Sequence, residues 1–209
     1  MTKIGIDLST KNFGYAIIVN NVLIEKGKID FLPYGPDNLE DNIDRINCFF
    51  NDTKWLIKYK SLKDYKENEI YLGIELGNFS NPDTTQKFSY YAGIISSIYF
   101  HTFNYNNNIK MFNANEWFQH LKIPSFTTLE RAERKRISIS FANYKNAMDF
   151  HPWNDDESDA YCVAYFLEKC LDSSKRKEQT KENIKQYKKR IANNKKERAQ
   201  AQKLKKEKK

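Results

Sequence analysis

The chain has 209 residues, of which 40% are hydrophobic and 14% aromatic, which is enough for one folded domain and an appendage. No apolar run approaches the roughly 20 residues of a transmembrane helix, so we expect no membrane partner. The net charge of +8 is uneven, because residues 173–209 hold 16 Lys and Arg against 4 Glu, which leaves 19 basic and 23 acidic residues in the rest. A mildly acidic body with a strongly basic tail is typical of a polyanion-binding protein.

In chain order, apolar spacing predicts strands at 3–9, 13–19 and 22–30, a helix at 38–65 and a strand at 70–75. It then predicts a helix at 82–103, a short strand at 109–113, a short helix around Trp117, and helices at 127–146 and 155–171. Short polar turns such as Asn20-Asn21 predict that the first three strands form an antiparallel meander. The expected fold class is α/β, with one mixed sheet flanked by helices in residues 1–172 and a basic, helical or disordered nucleic-acid-binding tail at 173–209.

The three cysteines are an odd number and form no C-x-x-C pair: Cys48, Cys162 and Cys170. This usage predicts reduced thiols and a cytoplasmic protein rather than disulfides or a zinc site. The abundance of Asn, Lys and Ile suggests an AT-rich genome, for which a phage or similar mobile element, acting in the host cytoplasm, is one source.

Four acidic residues lie at the ends of predicted elements. Asp7 ends the run Ile4-Gly5-Ile6, Glu75 ends Tyr71-Leu72-Gly73-Ile74, and Asp156 and Asp159 open an apolar helix. Strands would bring the first two to one edge of the sheet, and positions i and i+3 share a helix face. Gathered carboxylates repel each other, so the pattern predicts a divalent cation held by oxygen ligands.

A second explanation of the helical acids remains open at this stage. Asp155, Asp156 and Glu157 could interact favourably with the helix dipole, and Asn154 with Glu157 fits an N-cap. Asp7 and Glu75 are harder to explain in that way, because each ends an apolar strand. Taken together, the four acids predict a two-metal site for phosphodiester hydrolysis that uses Mg²⁺, with Mn²⁺ as a substitute.

These motifs resemble the RuvC family of Holliday-junction resolvases, within the RNase H-like superfamily. The matching motifs are Gly5-Ile6-Asp7 with Gly14-Tyr15, Gly73-Ile74-Glu75, Asn81-Pro82-Asp83-Thr84 with Lys87 and Gly93, and Asp156-Glu157-Ser158-Asp159-Ala160. The resemblance covers residues 3–170. It implies that Asp7, Glu75, Asp156 and Asp159 are the catalytic, metal-binding set, with Asp155 as the alternative to Asp156. It also implies a homodimer that pairs through the apolar helix 82–103. Ordinary core packing is an equal alternative for the apolar face of this helix.

Expected DNA contacts come from several places in the chain. Lys11 follows Asp7, Lys87 lies on helix 82–103, and Phe79 is the candidate aromatic of the Glu75 loop. Arg131, Arg134 and Lys135 share a helix face by their spacing, and Arg134 falls where the RuvC family carries a functional lysine. Internal ion pairs with two nearby glutamates are an equal alternative for this patch. The chain departs from the family in Leu8-Ser9 in place of Pro-Gly and in its basic tail. The segment between helix 38–65 and Glu75 is also longer and more polar than usual, and the loop after Glu75 is shorter.

The leading hypothesis is therefore a metal-dependent endonuclease that cuts Holliday junctions or other branched DNA by two-metal-ion hydrolysis. The alternative is a DNA-binding protein that retains the fold without cutting. A third hypothesis, an actin-like ATPase fragment, is disfavoured because the sequence has no Gly-rich phosphate loop, so no nucleotide cofactor is expected.

Overall fold

The computed structural model describes residues 1–61, 66, 69–77, 81–104, 108–121, 129–146 and 152–171. The predicted tail at 173–209 and Phe79 lie outside these residues. The chain divides into two units, Met1–Glu168 and Lys169–Lys209, and the sheet and the four acids belong to the first. The domain boundary after residue 172 stays a prediction.

Five strands form one mixed sheet. They are β1 (Thr2–Leu8), β2 (Asn12–Val19), β3 (Val22–Asp30), β4 (Ile70–Glu75) and β5 (Ile109–Phe112). Their order is β3-β2-β1-β4-β5, with β1 antiparallel to β2, β2 antiparallel to β3, and β1–β4 and β4–β5 parallel. The predicted meander is confirmed, and β1 lies at the centre of the sheet.

The turn between β2 and β3 has the chemistry that its sequence predicts. Asn20 and Asn21 have φ angles of 50° and 67°, and the strands on either side pair Val19 with Val22. A two-residue hairpin turn of type I′ needs positive φ at both positions, and asparagine tolerates that conformation better than most residues.

The helices follow the predicted order with shifted ends. They are α1 (Leu39–Ser61), α2 (Pro82–Thr102), α3 (Ala114–Phe118), α4 (Arg131–Lys145) and α5 at 155–171. α4 begins at Arg131 rather than at residue 127, because residues 129 and 130 are not helical. α1 is followed by residues 62–65, which lie outside the described part of the chain. Of the helices that can be described, none is both long and apolar enough to cross a membrane.

The two faces of the sheet bury different side chains. Ile4, Ile6 and Leu8 of β1 join a core with the buried faces of α1 and α2, which include Phe50 and Ile95. The opposite face packs against α4 and α5 through small residues and aromatics, among them Ala16, Ala142, Ala160 and Ala164. Because successive strand residues point to opposite faces, Gly5 and Asp7 face α5 while Ile4 and Ile6 face α1 and α2.

All five strands place a terminus at one end of the sheet. Leu8 pairs with Phe13 at the end of β1, Asn12 pairs with Asp30, and Asp7 pairs with Glu75. Glu75 in turn pairs with Phe112, the last residue of β5. The ends of β1, β3, β4 and β5 and the start of β2 therefore share this end of the sheet, which we call the acid edge. Sites in sheets of this kind form where strands end, so the fold places Asp7 and Glu75 where chemistry is expected.

Candidate active site

The acid edge brings Asp7 and Glu75 side by side. They occupy paired positions on the parallel strands β1 and β4, so their backbones lie one strand spacing apart, about 4.8 Å. Burial raises the pKa of Asp7 well above its ordinary range, and the charges of Glu75 and Asp159 raise it further. Burial, followed by the charge of Asp159, raises the pKa of Glu75 to about 7. The two strand-end acids therefore form a strained pair in which the doubly charged state is disfavoured.

Two glycines let α5 approach the sheet closely enough to add its acids. A Cβ atom on Gly5 would overlap the Ala160 carbonyl oxygen and the Ala164 amide nitrogen. A Cβ atom on Gly14 would overlap the Asp156 backbone. Gly14 is also the residue that pairs with Asp7. Because Gly14 has no side chain, the N-terminal turn of α5 has room to lie beside the site. The sequence needs glycine at both positions for close approach rather than for unusual backbone angles.

Asp159 is the most deeply buried of the four acids, with its side chain 8% exposed. Its Oδ2 atom accepts a hydrogen bond of 2.5 Å from Lys135 Nζ. Its Oδ1 atom is buried and has no hydrogen-bond partner within the described residues. Ser138 lies close enough to lower the pKa of Asp159, but its hydroxyl forms hydrogen bonds with the Lys135 carbonyl and with the Ser158 hydroxyl. An orphaned carboxylate oxygen is costly to bury, so it is a candidate ligand atom.

Lys135 lies among the acids rather than on an open DNA-facing surface. Its Nζ atom is 3.7 Å from Asp7 Oδ2 and 3.7 Å from Asp155 Oδ2, and it also bonds Asp159. Burial lowers the pKa of Lys135, but Asp159 and Asp7 together raise it above its ordinary value. The ammonium group stays charged and offsets part of the negative charge of the site.

Asp156 and Asp155 differ in their surroundings. The Asp155 side chain is 53% exposed and makes a 3.7 Å contact with Lys135. Asp156 is half-buried, contributes to the raised pKa of Asp7, and has its own pKa raised by burial and then by Asp155. The predicted N-cap is confirmed, because Asn154 Oδ1 accepts from the Glu157 amide at 2.8 Å while Glu157 Oε2 accepts from the Asn154 amide at 3.4 Å. Capping therefore explains Asn154 and Glu157, and leaves Asp156 and Asp159 free for another role.

Trp117 is a site residue for which sequence analysis predicted no functional role. It is fully buried on α3, and its Nε1 donates a 2.6 Å hydrogen bond to Glu75 Oε2. This bond lowers the pKa of Glu75 against the stronger effect of burial. α3 is placed by the capping box of Asn113 and Glu116 directly after β5. Only the position of a tryptophan just beyond a strand that ends beside Glu75 could have signalled the contact.

The predicted DNA-contact residues are dispersed in the structure. Lys11 is exposed in the turn between β1 and β2, and Arg131 is exposed at the start of α4. Arg134 is half-buried, and its charge lowers the pKa of Glu75. Lys87 lies on α2 with its Nζ atom 5.0 Å from the Tyr34 ring centroid. The shared face predicted for α4 is thus divided between an exposed Arg131 and two residues turned toward the acids.

The carboxylate oxygens of the four acids are the kind of ligand that a hard divalent cation prefers. The four carboxylates supply oxygen atoms, and the orphaned Asp159 Oδ1 together with the raised pKa of Asp7 indicates charge that the protein does not fully compensate. Among the described residues, however, no three His, Cys, Asp or Glu side chains already converge as a metal site. The Lys135 ammonium stands within the cluster instead.

A cavity of about 790 Å³ lies away from these acids, between β2–β3 and α1. Its lining includes Glu25, Asp41, Asp44 and Asp52, against the two cations Lys28 and Arg45. None of the four predicted site acids lines it. This excess of acids would repel a phosphate backbone, so the acid edge remains the better candidate site.

Solved structures share this fold. No family model matches the sequence. Thermus thermophilus RuvC in complex with a Holliday junction substrate matches with a TM-score of 0.57 at 14% sequence identity, over 78% of this chain and 90% of that one. A second Thermus thermophilus RuvC structure matches with a TM-score of 0.56 at 14% identity, over 78% and 91%. The mixed sheet flanked by helices is therefore an RNase H-like fold of the RuvC type, as the sequence predicts.

One curated protein has much closer sequence similarity. Uncharacterized protein UU157 of Ureaplasma parvum serovar 3 is 36% identical over 184 residues, which are 85% of this chain and 75% of that protein. Identity at this level over most of both chains indicates common descent of the aligned region. This chain belongs to the same family as Ureaplasma parvum UU157.

Proposed function

We propose that this protein is a metal-dependent endonuclease that cuts Holliday junctions or other branched DNA by phosphodiester hydrolysis. The observation that carries the proposal is the pairing of Asp7 with Glu75 at the acid edge, with buried Asp159 delivered to them by α5. Buried acids that repel one another lower the stability of the fold. Clusters of this kind therefore occur mainly where they serve chemistry. Their occurrence in a RuvC-type fold, one example of which was solved with a Holliday junction, supports this activity.

Asp7, Glu75, Asp156 and Asp159 are the residues that would hold Mg²⁺ or Mn²⁺. When bound, such ions supply Lewis-acid activation of water and stabilisation of the charge that develops on the phosphate. Trp117 holds the Glu75 carboxylate in one orientation through its 2.6 Å bond. Lys135 anchors Asp159 Oδ2 and leaves Oδ1 available as a ligand atom. These contacts prepare the acids before a cation or DNA arrives.

DNA would approach the acid edge through the cations around it. Lys11 lies in the turn that follows Asp7, while Arg131 and Arg134 lie near Asp156 and Glu75, whose pKa values their charges lower. Contacts of this kind bind phosphates and read no bases. The tail at 173–209 would add further phosphate affinity, so binding should weaken steeply as salt increases.

A homodimer is part of the proposal, with α2 as the pairing helix. Its outer face carries Ser89, Gly93 and Ser97 at four-residue spacing, and all three are exposed. Small side chains at that spacing let two helices approach closely. Two active sites arranged in this way would suit a four-way junction.

One observation favours a second function, the binding of branched DNA without cleavage. The Lys135 ammonium lies 3.7 Å from Asp7 and bonds Asp159, where it offsets charge that a metal ion would otherwise offset. A protein that needed no metal would be stabilised by such an arrangement. Under this alternative, Lys135→Met would destabilise the protein, and added Mn²⁺ would not restore its melting temperature. Under the nuclease proposal, Mn²⁺ restores it.

The test is a cleavage assay on a four-way junction, a fork and a linear duplex, with Mg²⁺, Mn²⁺ or EDTA. Wild type is compared with Glu75→Gln and Asp156→Asn, and with Asp44→Asn as a control acid that is exposed on α1. We expect metal-dependent cutting of the branched substrates by wild type and Asp44→Asn alone, with DNA binding retained by all four proteins. Binding without cutting by wild type under every condition would establish the second function instead.

A further inference from the structure

The segment that follows β3 starts at the acid edge and is fixed there by its first residue. The Phe31 amide donates a 2.7 Å hydrogen bond to the carbonyl of Lys11, in the turn after Asp7. The Phe31 ring is buried and stacks on Tyr91 of α2, with centroids 4.2 Å apart and planes 9° apart. It also lies 5.7 Å from the ring of Phe13, the neighbour of Gly14. Phe31 thus ties the start of this segment to the strand ends that carry the acids.

A buried asparagine fixes the next residue of the segment. Asn42 on α1 is 1% exposed, and its Oδ1 accepts from the Leu32 amide at 2.8 Å. Its Nδ2 donates to the Leu32 carbonyl at 3.2 Å and to the Tyr91 hydroxyl at 3.0 Å. Asn38 closes the loop by donating to the Pro33 carbonyl at 2.9 Å. The segment is therefore held in one conformation by bonds that involve no outside partner.

This rigid segment presents Tyr34 at the surface. The Tyr34 residue is 46% exposed, and it meets the 36% exposed Tyr90 of α2 edge-to-face with centroids 6.1 Å apart. The Lys87 ammonium lies 5.0 Å from the Tyr34 ring centroid. We call Tyr34, Tyr90 and Lys87 the tyrosine platform. An exposed aromatic pair on a preorganised loop, with one cation against the ring, has the composition of a base-stacking site.

We propose that the tyrosine platform binds an unpaired base of the DNA substrate beside the cleavage site. The proposal deepens the proposed nuclease function and rests on it. Tyr34 would supply the ring face for stacking, and Lys87 would meet the adjoining phosphate. Asp37 lies in the short helical turn that follows Tyr34, and Asp83 lies in the first turn of α2. Their charges make a continuous phosphate-binding groove unfavourable. A stacked base needs no compensating charge, so an aromatic site can function among these acids.

The position of the platform indicates which part of the substrate it meets. α2 covers the sheet face that Ile4 and Ile6 share, whereas Asp7 points to the α5 face. The platform and the acids therefore lie on opposite sides of one sheet edge, joined by the Lys11 turn. A strand whose phosphate reaches the acids would have to pass over that edge to place a neighbouring base on Tyr34. Branched DNA supplies such a strand, because bases at the branch point can leave their stack.

The experiment measures binding of a four-way DNA junction in EDTA, so that no cutting occurs. Tyr34→Ala is compared with Tyr34→Phe, which keeps the ring, and with Tyr59→Ala as a matched control. Tyr59 is 61% exposed and has the Lys60 ammonium 5.8 Å from its ring centroid, but it lies near the C-terminal end of α1, away from the acid edge. We expect Tyr34→Ala to weaken binding about 5- to 100-fold, the loss of one stacked base. Tyr34→Phe and Tyr59→Ala should remain within about twofold of wild type.

A second readout locates the base directly. A junction with 5-iododeoxyuridine at its branch point is irradiated with the wild-type protein, and the cross-linked peptide is identified by mass spectrometry. A cross-link on Tyr34 or Tyr90 supports the platform, and unchanged melting temperature of Tyr34→Ala excludes misfolding as the cause of lost affinity. Unchanged junction affinity of Tyr34→Ala, or cross-links elsewhere only, overturns the platform. Metal-dependent cutting by wild type would then still stand, whereas failure of wild type to bind any branched DNA overturns both proposals.

Discussion

The two faces of the sheet bury different kinds of side chain, one apolar and the other partly charged. The face toward α1 and α2 buries an aliphatic and aromatic core, in which Ile4, Ile6 and Phe50 lie fully buried. The face toward α4 and α5 buries small and aromatic side chains and then, at the acid edge, Asp159 and its ion pair with Lys135. One face contributes stability through apolar area. The other face holds like charges close together, and their repulsion lowers the stability of the fold. That arrangement is expected of a functional site.

The largest expected effect is the loss of DNA cleavage, without loss of folding, when an acid on the charged face is replaced. Asp7→Asn should reduce cleavage by at least about 100-fold, because it removes a charge at the reacting centre. The same change should raise the melting temperature measured in EDTA, since burial and the neighbouring acids disfavour the charged Asp7. Cleavage assays and thermal unfolding of one protein preparation measure both effects. Retained cleavage would show that Asp7 is structural.

The next effect concerns the close contact between α5 and the sheet. Gly5→Ala places a methyl group against the α5 backbone at Ala160 and Ala164, so it should destabilise the protein by about 3 kcal/mol or more. Gly35→Ala is the matched control, because a Cβ atom there meets nothing within 4 Å. Urea unfolding of both variants measures the difference. Equal stability of the two would mean that the α5 backbone does not pack directly against Gly5.

A smaller effect is expected from the hydrogen bond between Trp117 and Glu75. Trp117→Phe leaves Glu75 Oε2 without this donor and should cost about 1–3 kcal/mol of stability. Much of the cost should vanish in a Glu75→Gln background, where no buried charge needs the bond, so a double-mutant cycle by urea unfolding isolates it. Additive losses in the cycle would assign the whole effect of Trp117 to packing.

The smallest effect tests the end of α5 that carries the acids. Asn154→Ala removes the cap that accepts from the Glu157 amide and should cost about 1 kcal/mol. Asn154→Ser keeps an acceptor and should cost less, which thermal unfolding can resolve. If the cap also positions Asp156, cleavage by Asn154→Ala falls more than its stability loss explains. Equal stability of Asn154→Ala and wild type would show that the capping box contributes nothing.

Sequence patterns anticipated most of the architecture. Short apolar runs predicted all five strands, and the asparagine pair predicted the hairpin between β2 and β3. The start of α4 was placed four residues early, because Thr127, Thr128 and Leu129 continue a helix-compatible pattern that the sequence alone does not interrupt. The motif spacing predicted that Asp7 and Glu75 would lie together, and their register confirms this placement. Their catalytic role remains a proposal that the cleavage assays test.

The sequence patterns did not predict where each side chain lies within the site. Lys135 was predicted as a DNA contact from helical spacing, yet it lies among Asp7, Asp155 and Asp159. Trp117 contacts Glu75 across 42 positions of sequence. Periodicity reports which residues share a face of one element, but it does not report which face of another element they meet.

The sequence by itself determined the order of the strands and helices, the asparagine hairpin and the acids that end β1 and β4, because local periodicity and turn chemistry decide these features. The tertiary structure decided how close α5 comes to the sheet, which cation enters the acid cluster and which aromatic rings stay exposed beside it. Those features depend on contacts between distant segments, such as Gly14 with Asp156 and Asn42 with Tyr91, and such contacts exist only once the chain has packed.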